Sequence, residues 1–239
     1  MSIPDSQPFS AEAVAKRASE MPSVAPSISD RANYLVSRVK GARVLDVGVV
    51  EHSVEASYSS GWLHRRISEA ASYCLGIDIL ADDLDVLERQ GYNVRLHDIS
   101  ESPLEEDFDF VVLGELIEHV GNPEGLLRNS ALCLSPGGRL FLTTPNPWYV
   151  NYIRTALRSG WALDNTDHIA WFDPATLYAL GSRTGLRLVS FSGLSGMHTR
   201  TLTGGLAKRG LSILRAAGIG PLISCKSILY EFEKATSEA

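Results

Sequence analysis

Acidic side chains lie at the ends of four predicted strands, and they are the residues of this sequence most able to do chemistry. They are Asp46, Asp78, Asp98 and Glu115. If the strands are parallel, their carboxyl ends share the sheet edge where ligands bind in such folds. A carboxylate there suits the paired hydroxyls of a ribose or the amino group of a base, although each acid alone could instead cap the next helix. No basic residue of the first turn stands ready for a phosphate, so the edge favours a positively charged nucleoside.

A second candidate group is the segment from Glu115 to Val120, which we predict to be helical. Glu115 and His119 are four residues apart and would share one helix face with Glu118. A base on this face could remove a proton from a bound hydroxyl group. His119 is the first choice because an unperturbed imidazole titrates near neutral pH, but it could equally brace the sheet.

A third candidate is His168, within an aromatic loop that runs from Asp164 to Phe172. The loop follows the fifth predicted strand and is well placed to close over a second substrate. His168 would then contribute to catalysis, or it would be a hydrogen-bonded structural histidine.

The elements that must position these residues alternate along the chain. Residues 1–28 are rich in Ser, Pro and Ala and predict a flexible lead-in, after which Ser29 or Asp30 could cap a helix. Strands then alternate with helices, which indicates βα units and a parallel sheet. The seven predicted strands are 43–47, 73–77, 93–97, 108–113, 139–144, 186–192 and 227–231. Residues 206–223 predict either a helix packed on the sheet or another subunit, or a basic amphipathic helix on a membrane surface.

Five stretches of the sequence follow one another along these predicted elements: VLDVG, GIDI, HDIS, FDFVVLGELIEHV and LSPGGRLFLTTPNP. Together they resemble class I S-adenosylmethionine-dependent methyltransferases. The resemblance covers roughly residues 40–145 and is nearest to small-molecule O-methyltransferases, including those of ubiquinone biosynthesis.

The resemblance implies S-adenosylmethionine as the cofactor and assigns residues to its parts. Asp46 and Gly48 would lie near the methionine part, Asp78 with Ile79 at the ribose, and Asp98 with Ile99 around the adenine. Gly114 and Glu115 would lie beside the methyl donor. Some quinone O-methyltransferases use a divalent metal near this block, but three ligands on one short turn do not establish a site, and we assign no metal.

The turn after the first strand departs from the family pattern D-x-G-x-G-x-G. Only Gly48 follows Asp46 at once, and the next glycine is Gly61. We interpret Ser59, Ser60 and Gly61 as replacing the later glycines, so that their N–H groups at a helix N-terminus could hold the methionine carboxylate. The competing interpretation is a site that no longer binds the cofactor.

The composition of the chain indicates which partners, cellular location and cysteine chemistry to expect. The net charge of −6 and the pI near 5.5 argue against nucleic acid as a partner. We expect no integral membrane segment and a cytoplasmic location, because no apolar run approaches about 20 residues and the N-terminus lacks a signal pattern. The three cysteines fit core thiols better than a disulfide frame or a zinc site.

Together these features predict an α/β, doubly wound, seven-stranded and mostly parallel sheet of the Rossmann-like class I methyltransferase type, with a helical cap formed by insertions. Residues 1–28 would form the lead-in, 29–145 the cofactor-binding core, and 146–239 the cap and closing strands. The predicted function is S-adenosylmethionine-dependent O-methylation of a small molecule such as a sugar, glycolipid or natural-product intermediate, and a homo-oligomer is one predicted form of the protein. The alternative is a non-catalytic binding or scaffold protein with the same fold.

Overall fold

The computed structural model describes residues 11–50, 53–195 and 220–235, and within these ranges the chain forms one sheet with helices on both faces. The helices are α1 (Ala11–Glu20), α2 (Arg31–Val39), α3 (Leu63–Ala70), α4 (Ala81–Arg89), α5 (Pro123–Leu132), α6 (Val150–Ser159) and α7 (Pro174–Arg183). The strands are β1 (Val24–Ile28), β2 (Arg43–Val47), β3 (Tyr73–Asp78), β4 (Val94–Leu96), β5 (Phe108–Gly114), β6 (Leu134–Pro145), β7 (Leu186–Leu194) and β8 (Ser227–Lys234).

The strand order is β1-β7-β8-β6-β5-β2-β3-β4. All neighbours are parallel except β8, which runs antiparallel to both β6 and β7. The doubly wound, mostly parallel sheet is therefore confirmed. The chain moves from β2 to β3 and β4 in one direction and restarts at β5 in the other, so the strand order reverses between β2 and β5. A crevice for a ligand is expected at this switch point.

The described sheet has eight strands instead of the predicted seven. The additional strand, β1, comes from the predicted lead-in over residues 1–28, as does α1. The strand is short, contains Pro26 and has a register irregularity between Ala25 and Ile28. Proline is tolerated at a sheet edge because no ladder partner needs its missing N–H, but it also hides the strand from sequence patterns.

Two apolar layers hold the helices against the sheet. On one face, α2 and α3 pack on the sheet through Leu35, Val39, Leu63 and Ile67, each at most 6% exposed. On the other face, α5 and α7 pack through residues that include Leu126, Leu127 and Leu177. Strands buried on both faces explain the continuous apolar runs of the sequence. All three cysteines are buried thiols.

The helix predicted from Glu115 to Val120 is wrong. Only Ile117–His119 forms a single 3-10 turn, and Glu115 has a left-handed backbone with φ of 53°. Its N–H donates to Thr143 O at 3.0 Å, which ties the chain to β6 directly after β5. The next helix begins only at Pro123 and is capped by Asn122, whose side chain accepts from Gly125 N–H at 2.9 Å. Glu115 and His119 therefore do not share a helix face.

The predicted cap is described in part. Its first insertion holds α6, which is capped at its C-terminus by Gly160 in the left-handed conformation. Of the segment 206–223, residues 206–219 lie outside the described residues. Among the helices that are described, none combines the length and the apolar character needed to cross a bilayer.

Candidate active site

An open cleft of about 710 Å³ lies at the carboxyl ends of β2 to β5, at the switch point of the sheet. Its volume is in the range of small-molecule and cofactor sites. The structure brings together most of the residues predicted for the site. The predicted residues that line the cleft are Gly48, Asp78, Ile79, Asp98, Ile99, Gly114, Glu115 and His119.

Asp78 holds the turn after β2 in place. Its Oδ2 accepts from Val50 N–H at 3.0 Å, while Oδ1 accepts from the N–H groups of Ile79 and Leu80 at 2.7 and 3.2 Å. An ionised carboxylate offers about four acceptor positions, so capacity for a ligand hydroxyl remains. Ile79 and Leu80 stay 65% and 41% exposed beside it, and these apolar walls suit the flat face of a ring.

The next strand end contributes Asp98 and Ile99. Asp98 Oδ1 accepts from the N–H and hydroxyl of Ser100 at 2.9 and 2.7 Å. Ile99 is 3% exposed, and its carbonyl accepts from the Asn129 amide at 2.7 Å. The side chain of Asp98 is exposed, and its two hydrogen bonds from Ser100 fix its direction.

Asp46, Ser60 and Gly61 do not line the cleft. Asp46 is 4% exposed, and its Oδ2 lies 2.9 Å from Nδ1 of His64. Ser60 and Gly61 are exposed on the loop before α3, which begins at Leu63. The structure thus gives Asp46 a buried protein partner and leaves the predicted carboxylate-binding loop outside the main cleft.

Arg31 is the site residue that sequence reasoning missed. It lies in the first turn of α2, lines the cleft, and donates from Nη1 to Thr143 Oγ1 at 3.2 Å. The same nitrogen lies 3.9 Å from Glu115 Oε1. The expectation that no cation stands near the first turn therefore needs correction. The sequence did show that Asp30 could cap a helix, which places Arg31 in the first turn of that helix. It did not show which strand ends this first turn would face.

Glu115 is held in a strained conformation at the end of β5. A positive φ costs a residue with a side chain about 1–2 kcal/mol, and such strain concentrates at functional sites. Desolvation raises the pKa of its carboxyl group, an effect that the nearby Arg31 guanidinium opposes. Oε1 has no hydrogen-bond partner among the described residues.

The cleft continues into a cluster of Glu118, His119 and His168. The two imidazole rings lie 4.7 Å apart, edge to face. Glu118 is 1% exposed and accepts from Thr144 Oγ1 at 3.0 Å, and its carbonyl accepts from Ile169 N–H at 2.9 Å. That backbone bond fixes the aromatic loop, so His168 reaches His119 although it does not line the main cleft.

The cluster has unmet hydrogen-bonding capacity. Glu118 Oε1 and His168 Nδ1 have no partner within the described ranges. Burial raises the pKa of Glu118 to about 8, with a further contribution from Glu115, and burial lowers the pKa of His168. One ligand atom of each of Glu118, His119 and His168 lies within 4.8 Å of the others. The group can serve as a base or can hold a divalent cation.

Glu118 makes stability depend on pH in a way that can be measured. Its folded-state pKa is raised from 4.5 to about 8, so the folded protein retains a proton that the unfolded chain releases. This contribution to stability is full below about pH 4.5 and is lost as the pH rises to about 8. We expect Glu118→Gln, which stays neutral, to gain at least about 1 kcal/mol relative to wild type between pH 5.5 and pH 8, or about 2–4 °C in melting temperature.

Thermal unfolding of both proteins at several pH values checks this expectation. The difference between them should grow with pH. A difference that is constant from pH 5.5 to pH 8 would show that Glu118 is not protonated in the folded protein at neutral pH.

Comparisons with known proteins agree with this geometry. A ubiquinone biosynthesis O-methyltransferase of Coxiella burnetii (strain Dugway 5J108-111) is 26% identical over 178 residues, covering 69% of this chain and 72% of the relative. The crystal structure of an S-adenosylmethionine-dependent methyltransferase from Mesorhizobium loti has a TM-score of 0.54 at 20% identity, covering 85% of this chain and 95% of that one. Magnesium protoporphyrin IX methyltransferase from Synechocystis, determined with bound SAH, has a TM-score of 0.54 at 14% identity, covering 85% and 80%.

A family model also matches most of the chain. The family model described as a methyltransferase domain matches residues 19–191, which include β1 to β6 and the whole cleft. The chain therefore belongs to the methyltransferase domain family, and it is a class I enzyme whose cofactor is S-adenosylmethionine.

Proposed function

We propose that this methyltransferase methylates a hydroxyl oxygen of a small molecule, with the cofactor in the cleft and the acceptor beside His119. The observation that supports it most is that His119 lines the same cleft as Asp78, with His168 directly behind it. Hydroxyl methylation needs a nucleoside site and a proton acceptor within reach of each other.

The cleft offers each part of the cofactor a complementary group. Asp78 would accept from the ribose hydroxyls, and Asp98 with Ile99 would border the adenine. Arg31 Nη1 lies 4.0 Å from where a Cβ at Gly114 would be, and Arg31 is the one lysine or arginine among the described residues that line the cleft, so it would receive the methionine carboxylate. When bound, the cofactor supplies an electrophilic methyl group on a sulfonium centre, and the polar carboxyl group of Glu115 would lie beside that positive charge.

The chain must hold the acceptor oxygen in line and take its proton. His119 would accept the proton, and His168 would fix the imidazole and share the charge. Burial and the neighbouring His119 lower the pKa of His168, which favours a neutral imidazole next to the proposed base. Holding base and acceptor together removes most of the entropic barrier to their encounter.

The acceptor side favours a small polar molecule. Tyr152 and Trp171 have ring centroids 5.2 Å apart and continue the aromatic contacts of His168. Glu115 Oε1 and Glu118 Oε1 are buried and have no hydrogen-bond partner among the described residues, so a molecule with more than one hydroxyl group would bond to them as donor or acceptor. The name of the Coxiella relative supports oxygen as the methylated atom. A sugar, glycolipid or natural-product intermediate fits these features, whereas the net charge of −6 disfavours nucleic acid. A cytoplasmic homo-oligomer remains part of the proposal.

Two measurements test the proposal. Titration calorimetry with S-adenosylmethionine and S-adenosylhomocysteine should give micromolar affinities, and assays with a panel of polyols, phenols and primary amines should show transfer to hydroxyl groups. Transfer to amines alone would overturn the assignment of oxygen. Absence of cofactor binding would instead favour the non-catalytic scaffold that the altered glycine loop first suggested.

A further inference from the structure

The turn after β2 keeps one of its glycines and replaces the others with buried side chains. Gly48 has φ of 77° and donates to Ile77 O at 2.9 Å. Val49 and Val50 follow it, each 3% exposed, and pack with Trp62, Leu84 and Leu87. In glycine-rich loops the later glycines allow the backbone to approach the ligand and the helix to pack closely. Because Val49 and Val50 stand in place of those glycines, other contacts must fix the backbone of this turn.

Side chains hold the peptide group between Val49 and Val50 at both ends. The indole Nε1–H of Trp62 donates to the Val49 carbonyl at 3.0 Å. The N–H of the same peptide group, on Val50, donates to Asp78 Oδ2 at 3.0 Å. Trp62 is 3% exposed, so its hydrogen bond is shielded from water. This one peptide group thus connects the Trp62 indole to the Asp78 carboxylate, which is proposed to bind the ribose.

His64 anchors the other side of Trp62. It is 1% exposed, lies 2.9 Å from Asp46 Oδ2 through Nδ1, and has its ring centroid 5.1 Å from that of Trp62. Gly76 provides the space, because a Cβ there would lie 2.7 Å from His64 Cε1 and 3.1 Å from Val49 Cγ1. Asp46 does not line the main cleft, but its carboxylate fixes the His64 imidazole below the turn.

From these contacts we infer that Trp62 is a positioning residue for the cofactor, which orients the Asp78 carboxylate through the Val49–Val50 peptide group. His64 and Asp46 support it from below. Side-chain hydrogen bonds replace the missing glycines as the means of shaping the loop. This inference rests on the proposed role of Asp78 at the ribose.

The test removes the indole N–H and keeps an aromatic ring. Trp62→Phe is expected to weaken binding of S-adenosylhomocysteine by about 5–10-fold, since one neutral hydrogen bond is lost. The KM for S-adenosylmethionine should rise while kcat changes little. Tyr92→Phe is the matched control: its ring centroid lies 4.9 Å from that of Trp62, but its hydroxyl accepts from Arg65 and has no bond to the loop.

A double-mutant cycle separates positioning from general stability. If Trp62 acts through Asp78, Trp62→Phe should have little further effect on affinity in an Asp78→Asn background. A lower melting temperature with unchanged affinity, or full additivity with Asp78→Asn, would overturn the inference. Absence of binding by the wild-type protein would overturn the proposed function instead.

His64 provides a second pair of variants with a conservative rescue. His64→Leu leaves Asp46 without its partner and should weaken binding, whereas His64→Asn keeps a donor near the Nδ1 position and should restore it. Should Trp62→Phe fail to fold, nitrogen-labelled wild-type protein supplies the answer. The indole of Trp62 and the amide of Val50 should both shift and exchange more slowly with S-adenosylhomocysteine, and two unchanged signals would contradict the inference.

Discussion

Replacement of Asp78 by alanine is expected to weaken binding of S-adenosylmethionine by at least about 100-fold. Hydrogen bonds to a charged group contribute about 1.5–3 kcal/mol each, and every 1.4 kcal/mol is tenfold in affinity. Loss of two ribose bonds therefore suffices for the expected effect. The variant also frees the Val50 N–H, which loosens the turn beside Gly48. Calorimetric titration with the cofactor and with S-adenosylhomocysteine measures the change directly.

Two further variants identify the cause of the change. Asp82→Ala removes an exposed carboxylate from the first turn of α4, outside the cleft, and should bind as wild type does. Asp78→Asn retains one acceptor oxygen and should fall between wild type and alanine. If Asp78→Ala binds normally, then the carboxylate only braces its own loop and helix, and the cofactor lies elsewhere.

The positions of Asp78, Asp98 and Glu115 could be predicted because they depend on local pattern. An apolar run followed by an acid predicts a strand end, and alternating helices place successive ends at one edge of the sheet. The three residues line one cleft as expected. The same alternation of strands and helices predicts the mostly parallel sheet. Of its eight described strands, only the proline-containing β1 was not predicted.

The rest of the site depends on contacts between distant parts of the chain. Trp62 reaches Val49 only after α3 packs on β3, and Arg31 reaches Thr143 across 112 residues. Local pattern also misled at Glu115, where helical spacing suggested a shared face. There a backbone bond to β6 overrides helix propensity, and Asn122 with Pro123 delays the next helix start. His119 and His168 meet nonetheless, because the loop is fixed to the carbonyl of Glu118.

The contact between the His119 and His168 rings supports a second prediction. His119→Ala is expected to lower kcat by about 100-fold or more, with the cofactor affinity nearly unchanged. A positioned general base contributes about 10²–10⁴-fold, whereas the proposed cofactor contacts lie at Asp78, Asp98 and Arg31. Single-turnover assays with enzyme preloaded with S-adenosylmethionine isolate this step from binding. Calorimetry with S-adenosylhomocysteine supplies the internal control.

His119→Asn distinguishes a role of His119 in proton transfer from a role in packing and polarity alone. Asparagine keeps a polar side chain but cannot accept the proton, so the variant should be about as slow as alanine. His168→Asn should be slowed less, because that residue acts through His119. Activity of the wild type should survive a chelator if His119 acts directly, whereas loss of activity on chelation with recovery on Zn²⁺ would indicate an ion held by Glu118, His119 and His168, because imidazole ligands suit Zn²⁺. Unchanged turnover in both His119 variants would remove this residue from the reaction, since a base cannot be replaced by a methyl group or an amide without slowing the transfer of its proton.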